Sequence, residues 1–91
     1  MDSVAEQVVW LLDRAAAYLH ARGEPRPASS LLERVCRHRT EVLGVDHPDT
    51  LTSATNLALD LSSLGEHEQA RILNEETLAR RRARSRRGLG N

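Results

Sequence analysis

The stretch Gly44-Val45-Asp46-His47-Pro48-Asp49-Thr50-Leu51 decides the reading of this chain. It is the one irregular segment near the centre, and apolar residues recur at helical spacing on either side of it. Moving the second half back by 42 residues lays Ala58 on Ala16, Leu61 on Leu19, Gly65 on Gly23, Glu66 on Glu24, Ala70 on Ala28, Leu73 on Leu31, Glu75 on Glu33 and Arg81 on Arg39. A self-match at a fixed period marks a repeated structural unit, and here the unit is a helical hairpin. The sequence predicts a repeat domain over residues 1–85, with one copy at about 3–44 and the other at about 45–85. A flexible basic tail is expected at 86–91.

Working outward from the central loop, each predicted helix has its own start and stop. Asp46 is expected to cap the third helix, with Pro48 in its first turn and Asp49 placing a carboxylate at the positive end of the helix dipole. That helix should bury Leu51, Ala54, Leu57, Ala58, Leu61 and Leu64 before Gly65 ends it. The fourth runs from about His67 with Ala70, Leu73, Thr77 and Leu78 inward, and its last turns carry the arginines Arg80, Arg81, Arg82 and Arg84, cations that complement the C-terminal end of the dipole.

In the first half, Ser3-Val4-Ala5-Glu6 reads as a capping box. Val4, Val8, Leu11, Leu12, Ala15, Ala16 and Leu19 then form one predicted buried stripe, closed by Gly23. Pro25 and Pro27 stand at the start of the second helix, where a missing N–H costs little. Leu31, Leu32, Val35, Cys36, Val42 and Leu43 are its predicted inner face. The short connections make each pair of helices antiparallel.

Composition limits the remaining options. The core must be built without Phe and with one Trp and one Tyr, which suits small aliphatic residues at close helix crossings, and no stretch alternates with period two, so the class is all-α. The zero formal charge hides an asymmetry: residues 80–91 hold six Arg and no acid, and residues 1–79 hold seven Arg against thirteen carboxylates, a net of −6. The body is acidic and the tail basic. Cys36 is the one cysteine, so no intrachain disulfide is predicted, and its position in the apolar stripe predicts a buried thiol in a reducing, cytoplasmic setting. The sequence offers no membrane span and no secretory signal, and a cytoplasmic location is expected.

A helix ending in Gly-Glu, an Ala five residues past the Gly and an Ala seven residues before it occur in both halves. Together they resemble the tetratricopeptide repeat. The 42-residue spacing, the linker Leu43 to Leu51 and the Asn56-Leu57-Ala58 of the following helix resemble its kinesin-light-chain type. The resemblance covers residues 10–84 and departs from the pattern at Arg14, which stands opposite Asn56, and at Pro25 and Pro27. It implies a short right-handed superhelix of stacked antiparallel hairpins, whose first helices line a concave groove for a peptide or partner helix. Carried over by position, the groove residues are Trp10, Asp13, Ala17 and His20 in the first copy and Thr52, Thr55, Leu59 and Ser62 in the second. Trp10 lies off the main stripe and reads either as packing against a neighbouring helix or as an aromatic anchor.

Chemistry finds little to use. His20, His38, His47 and His67 fall in four elements without H-x-x-x-H or C-x-x-C spacing, so no metal site is expected. Cys36 and His38, two residues apart, point to different sides of a helix and cannot form a nucleophile and base pair. Without Lys there is no G-x-x-x-x-G-K-[ST] phosphate loop. No catalytic residue and no cofactor are predicted, and the chain reads as a protein-binding scaffold rather than an enzyme. The alternative is a nucleic-acid or anionic-surface binder acting through Arg80, Arg81, Arg82, Arg84, Arg86 and Arg87. The absence of interleaved aromatics to stack bases weighs against it. Two repeats leave open ends, with Ile72 and Leu73 uncovered, which predicts self-association or neighbouring repeats in a longer array.

Overall fold

A computed structural model describes residues 3–89 of the chain, with side chains over residues 5–86. Four helices follow one another, α1 (Ser3–Ala21), α2 (Pro25–Leu43), α3 (Pro48–Ser63) and α4 (His67–Leu89), and there is no strand among the described residues. Each helix packs on the next, α1 on α2, α2 on α3 and α3 on α4. The result is a slab of 42 × 35 × 18 Å, two antiparallel hairpins laid side by side.

The hairpin turns show the repeat at atomic detail. After α1 the Glu24 N–H donates to the Leu19 carbonyl at 2.9 Å and the Gly23 N–H to that of His20 at 3.0 Å. After α3 the Glu66 N–H donates to Leu61 at 2.9 Å and the Gly65 N–H to Ser62 at 3.0 Å. This is the Schellman closure, which needs a left-handed residue at its centre. Gly23 and Gly65 supply it at φ 78 and φ 85.

The starts of α2 and α3 are set by proline, because Pro at the first helical position fixes φ and forgoes a donor that has no acceptor there. This corrects the expected cap of α3. The residue before a proline is held in the extended region, which is the cap's own conformation, so His47 (φ −66, ψ 140) and not Asp46 occupies that place. Its Nδ1 accepts from the Asp49 N–H at 3.1 Å. Of the capping box read at the start of α1, the Ser3 side chain lies outside the described residues.

Ala16, Leu32, Leu57, Leu61 and Ala70 form the central core, one contribution from each helix and two from α3, with Leu31, Cys36 and Leu73 packed against it. Ala28 and Ala58 are buried as well. The predicted inner faces of the outer helices are partly overturned. Val8 and Leu11 are 48% and 58% exposed, while Val9, left out of the stripe, is buried. The helix α1 packs on one side only, so an apolar stripe wide enough for two neighbours has half of its width uncovered. Leu78 of α4, the helix at the other end of the slab, is exposed for the same reason, and Val42 and Leu43, the last two residues of α2, are exposed as well. Val4 lies outside the described side chains. Cys36 is half-buried rather than buried. At the other terminus α4 continues to Leu89, through the stretch where the sequence anticipates the chain leaving the helix.

Candidate functional site

The first helices of the two hairpins leave a cleft of about 140 Å³ between them, lined by Asp13, Ala16, Ala17 and His20 of α1, Leu32 of α2, and Asn56, Leu59 and Asp60 of α3. Small residues at 16 and 17 hollow out its α1 wall. Four predicted groove residues, Asp13, Ala17, His20 and Leu59, meet there.

Asp60 is the cleft's central polar residue, and it is fully buried. Its Oδ1 is hydrogen-bonded to Nδ1 of His20, whose own side chain is about half exposed. Its Oδ2 has no hydrogen-bond partner among the described residues. Burial of a carboxylate oxygen without a donor is costly, so this atom is an unmet demand for a hydrogen-bond donor. Beside it, Asp13 Oδ2 lies 3.5 Å from Nη1 of Arg39, and the same Nη1 donates to Ser53 Oγ at 2.5 Å.

The other predicted groove residues are placed elsewhere. Trp10, 54% exposed, borders a separate hollow with Val9, His38, Val42 and Leu43, and the Arg14 guanidinium lies 4.9 Å from its ring centre. Cation–π contact of this kind suits an exposed aromatic. Thr52 lies beside Arg81 and Arg84, and Ser62 beside Asn74 and Leu78, in hollows between α3 and α4. Thr55 Oγ1 donates to the Leu51 carbonyl and accepts from Arg81 Nη2 at 3.3 Å.

The arginines of α4 do not form one face. Arg80 turns partly inward beside Cys36 and Thr77, Arg81 and Arg84 face the start of α3, and Arg82 and Arg86 are exposed; the Arg87 side chain lies outside the described residues. Sequence reasoning missed Asp60 and Asn56 as cleft residues. The signal for Asp60 was its spacing, since it shares a helical face with Ser53 and Leu57, both buried.

Burial raises the Cys36 thiol from its usual value to about 11; Arg39 opposes the shift, and Asp13 and Glu33 add to it. Such a thiol is a poor nucleophile at neutral pH. Among the described residues no group of His, Cys, Asp and Glu is placed to hold a metal ion, and no helix is long and apolar enough to cross a membrane.

A two-hairpin stack with a cleft between its first helices defines a helical-repeat protein. The family model of the tetratricopeptide repeat matches residues 7–83, and the chain belongs to that family. No curated protein matches it.

Proposed function

We propose that the chain is a protein–protein interaction module of the kinesin-light-chain type, and that the cleft between α1 and α3 receives a segment of a peptide or partner helix. One observation carries this reading: the residues that the repeat pattern assigns to a groove in two separate hairpins, Asp13, Ala17 and His20 in one and Leu59 in the other, border a single cleft. Repeats of this family typically serve as non-enzymatic scaffolds. The test is selection of binding peptides from a displayed library, followed by mapping on the labelled chain. Peptides that shift Ala17 and Leu59 resonances and are lost in Leu59→Asp support the reading; selected peptides that map elsewhere overturn it.

A specific contact favours a further occupant, another hairpin or a second copy, at the α3–α4 end. Arg39 reaches Asp13 within its own hairpin and Ser53 of the next. Arg81, its equivalent 42 residues on, reaches Thr55, the equivalent of Asp13, and the described residues contain no later hairpin to supply the equivalent of Ser53. With Ile72 and Leu78 exposed nearby, this end has the chemistry of an unfinished stack. Sedimentation at micromolar concentration tests self-association: a dimer broken by Leu78→Asp supports a second copy, and a stable monomer rejects it.

A further inference from the structure

We infer that the α1–α3 cleft is selective for a cationic side chain, and specifically for an arginine presented by the partner; this rests on the cleft being the binding groove. The cleft holds two carboxylates, Asp13 and Asp60, and among the described residues Arg39, facing Asp13, is the one guanidinium paired with either. Asp60 keeps 1% of its side chain exposed, and its Oδ2 has no donor among the described residues. A carboxylate accepts hydrogen bonds and donates none, so its natural complement is a donor, and a charged donor also offsets the buried negative charge.

Arginine fits better than other donors. Leu32 and Leu59 give the cleft apolar walls, which suit the methylene stem of a long basic side chain. A guanidinium is more weakly hydrated than an ammonium and presents several N–H groups in a plane, so one such group can offer donors to Asp60, Asp13 and Asn56, which line the cleft together. The acidic body, net −6 over residues 1–79, draws a basic partner towards the cleft.

His20 governs access. It bonds Asp60 Oδ1 from a half-exposed position at the rim, so the incoming guanidinium turns the imidazole outward and takes its place beside the carboxylate. His20 is therefore a removable stand-in for the ligand, and deleting it should strengthen binding. A purely structural His20–Asp60 link would give the opposite result.

The test is titration of the intact chain with N-acetyl-arginine amide, read by NMR, with N-acetyl-citrulline amide as the neutral look-alike. Arginine amide should shift Ala17, Leu59 and the His20 ring together, and citrulline amide should not. Asp60→Asn should weaken binding about tenfold or more, as loss of a charge-assisted bond implies. Glu76→Gln, which removes a charge from the exposed surface of α4, should leave binding unchanged, and His20→Ala should tighten it. If Asp60→Asn fails to fold, Ala17→Leu, which fills the cleft without altering charge, should abolish the shifts. Equal binding of citrulline amide, equal weakening by Glu76→Gln, or weaker binding in a folded His20→Ala overturns the inference. Library peptides that map to the cleft but bind Asp60→Asn as well as the parent overturn this inference alone; peptides that avoid the cleft overturn the groove reading as well.

Discussion

Arg39 on α2 and Ser53 on α3 are joined across the boundary between the two hairpins by a 2.5 Å hydrogen bond from Nη1 to Oγ. Ser53 is fully buried and donates in turn to the Asp49 carbonyl at 3.0 Å. The same guanidinium nitrogen faces Asp13, so one side chain ties three helices together from a position that is 15% exposed.

Replacing Arg39 by Met keeps the apolar stem and removes the three-way tie. Loss of a hydrogen-bonded charge at a largely buried site costs about 1.5–3 kcal/mol, and Arg39→Met should lower the urea midpoint accordingly. Arg39→Lys should recover only part of the loss, because an ammonium lacks the planar fork. A parental midpoint in Arg39→Met would show that the tie contributes nothing to stability.

Gly44 has φ 95 and ψ 160, a region that is in effect closed to residues with a Cβ. A Cβ there would meet no atom within 4 Å, so the cost of Gly44→Ala is backbone strain alone, about 1–3 kcal/mol. Asn, which tolerates the ordinary left-handed region, should not rescue it. Thermal melts of Gly44→Ala and Gly44→Asn check this, and a parental melting temperature in either would refute it.

His47→Ala removes the acceptor for the Asp49 N–H and should destabilise the chain by about 1 kcal/mol, the usual value of an N-cap side chain. His47→Asn or His47→Asp should preserve the cap. Chemical denaturation of the three variants is the measurement, and the expected order is Asn and Asp together above Ala.

Cys36 should resist alkylation at pH 8 when folded and react readily in urea, since its thiol is held up to about 11 by burial. The sign of the linked stability follows. The folded state keeps its proton longer than the unfolded chain, so this contribution is full below the ordinary thiol value of 9.0 and is lost as pH rises towards about 11. Cys36→Ser should flatten that part of the stability profile. Rapid labelling of the folded chain at pH 8 would contradict the burial.

Helix number, helix order and nearly every helix end were legible in the residues, because the signals are local. Pro25 and Pro48 start helices through their own φ, Gly23 and Gly65 end them through theirs, and the 42-residue echo states how often this happens. The cap of α3 was legible too, had the restriction that Pro48 places on His47 been applied.

Contacts between distant residues were not legible in this way. Helical periodicity tells which side chains share a face, but a face is buried only if another element lies against it, and the exposure of Val8 and Leu11 follows from α1 standing at the end of the slab. The pairing of His20 with Asp60, forty residues apart, and the burial of that carboxylate depend on how α3 seats against α1 and α2. The sequence by itself determined the elements and their repetition, because φ, capping and periodicity act within a few residues. Only the tertiary structure decided that Asp60 is buried in the cleft and that its Oδ2 lacks a donor among the described residues, because burial and hydrogen bonding belong to atoms that meet only when the helices pack.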